Sequence, residues 1–400
     1  MENDRARGAI APARLASAAS AARASLDVSV RVEEKTVVRG VATSRSRRRS
    51  ARRRLVSTLG ALSAALLLAA PASAQRVAIR PGASAASDPG EVAFTWLGVT
   101  HWLMETPVGG ALLDAYLSRP PFPANGTTEE GLGALRSLLA TARPGRIRWI
   151  FIGHSHSDHA VDAGAFAAET GAIVVGSATT CFVAQAGGLD PRRCRIVDDG
   201  DTLRFGRLEV VVLRTPHTAP STPGLGRYEV LTAPPPRASG GPNGGALSFL
   251  FRLRASRGPA RLSWLYTNSI AAIDSDDGSG IDFRAGVQAL FASVPSPDLW
   301  LAAPFLTGPE MGDYLDLIRP RAVLPQHWDG TAPILTDGLA VPFRPPQELA
   351  DAFAERGIPL VEQRQYGDRF VLDRSGVTRV ENDRVRLALG IPLDPVDLGE

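Results

Sequence analysis

Three histidines and an aspartate fall within six residues, His154-Ser155-His156-Ser157-Asp158-His159, directly after the short run Arg148–Ile152 and a glycine, Gly153. No other feature constrains the fold as strongly. Imidazole nitrogen and carboxylate oxygen are ligands suited to zinc and related first-row ions. A solvated loop gains nothing from packing neutral histidines so densely, whereas a loop leaving a strand end can turn them toward one point. The chain has only six histidines, His101, His154, His156, His159, His217 and His327, and each lies at or just past the end of a predicted strand. Ligands carried on separate strand ends can converge on one edge of a sheet, where the loops are open to solvent.

The formal charge of +3 over 400 residues hides two different parts. Residues 1–74 hold 14 Lys+Arg and 5 Asp+Glu, which leaves 30 basic and 36 acidic groups for the rest. The body is therefore mildly acidic, which argues against a nucleic-acid surface, since that needs clustered positive charge on the folded part. The only lysine is Lys35, so the body has no lysine nucleophile, Schiff base or phosphate-loop lysine. Within the leader, Arg47 to Arg49 and Arg52 to Arg54 precede the apolar stretch Leu55–Ala70. Ala72-Ser73-Ala74 then supplies a small-x-small cleavage pattern before Gln75. Residues 1–74 are accordingly expected to be a disordered extension and signal peptide cleaved after Ala74. Residues 75–400 are expected to form a single domain, exported by the general or the twin-arginine route to the periplasm or outside the cell, with no permanent membrane span. Cys181 and Cys194 either pair in that oxidising compartment or stay separate buried thiols.

Past Gln75 the periodicity predicts strands at Val92–Leu97 and Ala111–Leu113, joined through a turn near Gly109-Gly110. It also predicts a helix at Gly131–Ala142, a strand at Arg148–Ile152, a helix at Ala163–Thr170, a strand at Ile173–Val175 and a helix at Thr179–Ala186. A hairpin around Gly206 follows. The stretch Thr218–Gly245, rich in Pro and Gly, reads as a long loop that is either a lid or a loose insertion. Strands at Leu247–Leu253, Leu262–Tyr266, Leu299–Ala302, Ala322–Pro325 and Arg369–Leu372 alternate with helices at Phe283–Phe291, Met311–Ile318 and Gln347–Arg356. This mixture implies an α/β or α+β layered domain.

The sequence resembles the metallo-β-lactamase-fold hydrolases over about residues 90–330. His154-Ser-His-Ser-Asp-His159 fits that family's H-x-H-x-D-H motif. Thr95-Trp96-Leu97-Gly98 with Leu112-Leu113-Asp114 resembles its opening strands, Pro216-His217-Thr218 its third metal motif, and Pro325-Gln326-His327 its last. The resemblance implies a four-layer αββα sandwich with metal at one edge. It assigns His154, His156 and His217 to one zinc, and Asp158, His159 and His327 to a second. It makes Asp114 a carboxylate behind a ligand, and leaves His101 either facing substrate or packed. One departure matters: Asn268, in Thr267-Asn268-Ser269, stands where the family supplies a bridging Asp. A neutral amide brings no charge to offset the repulsion of two dications, so the second position is expected to be weakened.

The function implied is hydrolysis of an ester, lactone, phosphodiester or amide in a small-molecule or lipid substrate. The metal activates water, and Asp158 orients that water or takes its proton. Fold alone does not settle the substrate, and β-lactams rank low. The alternatives are a phosphodiesterase or phospholipase-like enzyme using Arg119 or Arg227 on phosphate, and a degenerate metal-binding protein without turnover. Nothing resembles the flavin module of the family's oxidoreductases.

Overall fold

The central strands carry large apolar side chains on both faces, and this decides the layering. Phe249 and Phe251 point one way from their strand, and Leu250 between them points the other; Trp264, Tyr266 and Leu265 do the same. A strand apolar on both faces must be covered on both, so the sheet that holds it lies between two other layers. The computed structural model describes residues 90–121, 126–217, 227–255, 260–303, 305–331, 334–339 and 343–393. The leader, its cleavage site and residues 218–226 of the long loop lie outside the described residues.

Two mixed sheets face each other. The first runs, in spatial order, β14 (Gly376–Val380), β13 (Arg369–Asp373), β1 (Val92–Trp96), β2 (Trp102–Thr106), β3 (Gly109–Leu113), β4 (Ile147–Phe151), β5 (Ile173–Gly176) and β6 (Cys194–Ile196). The second runs β12 (Val323–Pro325), β11 (Leu299–Ala302), β10 (Ala260–Thr267), β9 (Leu247–Arg254), β8 (Leu208–Arg214) and β7 (Thr202–Phe205). Pairing is antiparallel from β14 to β3 and from β10 to β7, and parallel from β3 to β6 and from β10 to β12.

Aromatic rings fill the space between the sheets. Phe151 meets Phe249 and Phe251 edge-on at 5.4 and 5.0 Å, and Phe94 meets Trp264 at 5.8 Å. Each such pair contributes about 0.5–1.5 kcal/mol beyond the area it buries. Outside the first sheet lie α1 (Glu129–Ala142), α3 (Ala163–Thr170) and α4 (Ala178–Ala186), with α8 (Asp383–Leu389) against α1. Outside the second lie α5 (Phe283–Ser293), α6 (Gly308–Ile318) and α7 (Gln347–Glu355), which cover Leu213, Leu250, Leu265 and Trp300. The result is the expected αββα sandwich. No helix of the described residues is long and apolar enough to cross a membrane.

One departure from the sequence reading has a physical cause, and two open points are decided. The turn near Gly109-Gly110 was expected to join Val92–Leu97 directly to Ala111–Leu113, but β2 lies between them. Its sequence hides it: all five residues are buried and Glu105 sits among them, which breaks the apolar pattern. That carboxylate is tolerated inside because the Arg369 guanidinium of β13 reaches it across the sheet. The tail past Asp373 also has structure, with β14 closing an edge and α8 packed on α1. Finally, Cys181 of α4 and Cys194 of β6 form a disulfide, with Cα atoms 5.8 Å apart.

Candidate metal centre

Loops from five strand ends meet at one edge of the sandwich. Beyond β4 the chain runs through Gly153 into the His154–His159 turn, whose last residues form the one-turn helix α2 (Ser157–Ala160). Gly153 has to be glycine, because a Cβ there would meet the Asn268 amide at 2.2 Å. His217 follows β8, His327 follows β12, Asn268 follows β10 and Asp114 follows β3.

The six residues assigned to metal by resemblance gather in two groups of three. His154, His156 and His217 form one; Asp158, His159 and His327 form the other. In the first, Nε2 of His154 is 3.0 Å from Nδ1 of His156 and 3.1 Å from Nε2 of His217. In the second, Nε2 of His159 lies 3.2 Å from Nε2 of His327, and Oδ2 of Asp158 lies 3.2 and 3.3 Å from those two nitrogens. Four ligands at about 2.0–2.1 Å around a tetrahedral zinc stand roughly 3.3 Å apart. The observed edges fit that figure. The groups adjoin, with the rings of His154 and His159 centred 4.0 Å apart.

The protonation states suit ligation as well. Burial, with the neighbouring imidazoles, pushes His154 well below the ordinary histidine value and His156 down to about 4. Both therefore stay neutral with a lone pair to offer. Burial acts against charge on His159 too, but Asp158 and Asp114 outweigh it and raise the imidazole to about 10. Burial would raise the Asp158 carboxyl, yet His159 and His327 hold it well below the usual range. A dication between Asp158 and His159 would take the place of the proton these groups share.

Asp114 anchors the arrangement from behind. Its Oδ2 lies 2.6 Å from Nδ1 of His159 and accepts from Thr100 Oγ1 at 2.5 Å and Asn268 Nδ2 at 2.9 Å, while Oδ1 accepts the Gly153 amide at 2.9 Å. A carboxylate on Nδ1 fixes the tautomer that turns the Nε2 lone pair toward the neighbouring ligands. Thr100 completes this cluster, and nothing in its sequence context signalled it.

Asn268, expected at the bridging position, spends its amide nitrogen on Asp114 and stands 3.4 Å from Nδ1 of His159, the ring edge turned away from the group. Its Oδ1 is buried without a hydrogen-bond partner among the described residues. The contacts it makes are thus those of a support behind His159. Asp274, the next carboxylate along the chain, is turned to the surface and paired with Arg284. His101 is packed and does not face substrate: it is 0% exposed, its Nδ1 accepts the Tyr116 amide at 2.7 Å, and its ring meets Phe166. Burial pushes its pKa down to about 3, so it stays neutral.

Arg119, a candidate phosphate contact, is also withdrawn, buried against Asp329 and Tyr366. Trp102, next to His101, is buried in its sheet with Nε1 donating to Gln326 Oε1, and Trp328, next to His327, stacks on Trp96 with Nε1 donating to Gln363. Phe305 was missed; 44% exposed, it places its ring edge-on to His327 at 5.1 Å. The described part of the long loop is neither loose nor free. Around Ser155, Gly241 N–H donates to its carbonyl at 2.7 Å, its amide donates to Asn243 at 3.3 Å, and its hydroxyl donates to Pro242 at 2.5 Å. With Ser155 tied outward in this way, His154 and His156 on either side are left to turn inward.

The chain is similar in part to known proteins. The sequence profile of the metallo-beta-lactamase superfamily matches residues 126–239, which span the histidine run and His217. Over those residues the chain is similar to the metallo-beta-lactamase superfamily. A UPF0173 metal-dependent hydrolase of Rhizobium etli is 29% identical over 125 residues, covering 31% of this chain and 47% of that protein. The match therefore spans about half the length of that relative. Among solved structures, Igni18, a metallo hydrolase from Ignicoccus hospitalis, superposes with a TM-score of 0.45 at 15% identity, covering 71% of this chain and 99% of that one. The metallo-beta-lactamase fold protein YhfI from Bacillus subtilis gives 0.41 at 14% identity, covering 70% and 99%.

Proposed function

We propose that the protein is an exported, zinc-dependent hydrolase that acts on an ester, lactone or amide of a small molecule. The observation that carries this reading is the pair of adjoining ligand groups, each with edges suited to one tetrahedral ion. The name of the Rhizobium relative, a metal-dependent hydrolase, agrees with it. A dication held in these groups supplies Lewis acidity: it makes water a nucleophile near neutral pH and polarises the bond under attack. The chain's own contribution is positional. Asp158, held ionised and partly exposed, is placed to orient the attacking water and accept its proton. Asp114 keeps His159 in the ligating tautomer, and Phe305 offers an apolar surface at the mouth beside His327.

Phosphodiester or phospholipid cleavage is the weaker alternative, since Arg119 is committed to Asp329. The leader and the Cys181–Cys194 disulfide support export, because a structural disulfide belongs in an oxidising compartment. Asn268 brings no carboxylate charge to the two groups, which supports two unequal metal positions.

A panel of chromogenic esters, a lactone, an amide and a bis-aryl phosphodiester, assayed with and without a chelator, tests the reading. Turnover of a carboxylic substrate that chelator abolishes and zinc restores is expected. Turnover indifferent to chelator would sink the metal mechanism, and none across the panel would favour a binding protein without catalysis.

A further inference from the structure

His327 is held differently from its neighbours. The His159 ring is aimed by Asp114, but Nδ1 of His327 is buried with no hydrogen-bond partner among the described residues. Its backbone is also unusual, with φ at 67°, where L side chains are rare. Something outside the imidazole must hold it there.

The structure shows what does. The His327 amide donates to the Val99 carbonyl at 2.8 Å, and the Val99 amide donates back to the Asp329 carboxylate at 3.0 and 3.1 Å. Val99 itself sits at φ 49°, so two loops, each with a left-handed residue, are clasped through both amide groups of one valine. Behind the clasp, Asp329 accepts from the Tyr366 hydroxyl at 2.8 Å and from Nη2 of Arg119 at 3.2 Å. Arg119 in turn donates to the Tyr366 oxygen at 3.2 Å and lies over that ring, 4.9 Å from its centre. The Asp329 side chain is fully buried and that of Arg119 nearly so. A buried ion pair is weak evidence of stabilisation, because desolvation offsets most of the attraction. What this one supplies is a fixed geometry two residues beyond His327.

We infer that Asp329, backed by Arg119 and Tyr366, is a positioning residue that aims His327 at the group it shares with Asp158 and His159. The inference rests on the reading of His327 as a metal ligand. Cobalt(II) titration of the purified protein, followed by visible absorption, tests both on wild type, His327→Ala, Asp329→Asn and Tyr366→Phe. Tyr366→Phe removes one hydroxyl and keeps the buried ion pair, so it serves if Asp329→Asn does not fold.

Two classes of site are expected in wild type, with His327→Ala losing the weaker. In Asp329→Asn and Tyr366→Phe the weaker class should drop about 10–100-fold in affinity while the tighter one holds, as other changes behind ligands do. If His327→Ala binds cobalt as wild type does, the ligand reading fails and the inference with it. If His327→Ala loses the site but the folded clasp variants bind normally, or lose both classes equally, the positioning role alone is overturned.

Discussion

Asp158→Ala is expected to lower hydrolysis by about 10²–10⁴-fold, the range over which positioned proton acceptors act. The carboxylate lies 3.2 and 3.3 Å from the ring nitrogens of His159 and His327, so its removal leaves that group one ligand short. His154, His156 and His217 make their mutual contacts without it, and a first metal equivalent should survive in the variant. Steady-state turnover measured beside metal content checks both halves. Turnover within a few-fold of wild type would remove Asp158 from the mechanism, whatever the metal content.

The second large effect is on stability. Asp114→Ala is expected to cost about 3–5 kcal/mol, as losing one partner of a buried charged network does. Four groups lose their acceptor at once: the Gly153 amide, the Thr100 hydroxyl, the Asn268 amide and Nδ1 of His159. None of these residues has more than marginal contact with water to compensate. Asp114 also sits at φ 53°, held there by its own bonds, so the loop after β3 should relax when they go. Urea unfolding of the metal-free protein measures the loss, and Asp114→Asn, which keeps the shape and one carbonyl acceptor, should fall between. A loss under about 0.5 kcal/mol, the level of an ordinary surface change, would show that the network is not holding the edge together.

The gathering of the two groups of three was legible in the sequence because metal chemistry would limit such groups to few residue types, and the chain has only six histidines to place. The alternation of strand and helix patterns implied a layered domain, and the family resemblance implied its αββα order. In β9, Leu247, Phe249, Phe251 and Leu253 fill one face, while Leu250 alone carries the apolar character of the other. What could not be read shares one cause: the pairing partner is remote. Glu105 disguised β2 because Arg369 lies 264 positions on. Asp329 gave no local sign of its role because its partners Val99, Arg119 and Tyr366 are brought to it only by folding. Asn268 was recognised by position, but the direction of its amide toward Asp114 depended on a hydrogen bond across 154 residues. The loop from 227 to 245 looked like free chain because two of its anchors are backbone groups of Ser155, which any residue carries, and a third is that residue's single hydroxyl.

Diffraction from crystals grown with zinc, recorded on both sides of the zinc absorption edge, tests the central claim most directly. A strong anomalous peak is expected about 2.0–2.1 Å from nitrogens of His154, His156 and His217. A second, weaker peak should lie among Asp158, His159 and His327. Zinc bound elsewhere, with both groups empty at saturating metal, would contradict that claim.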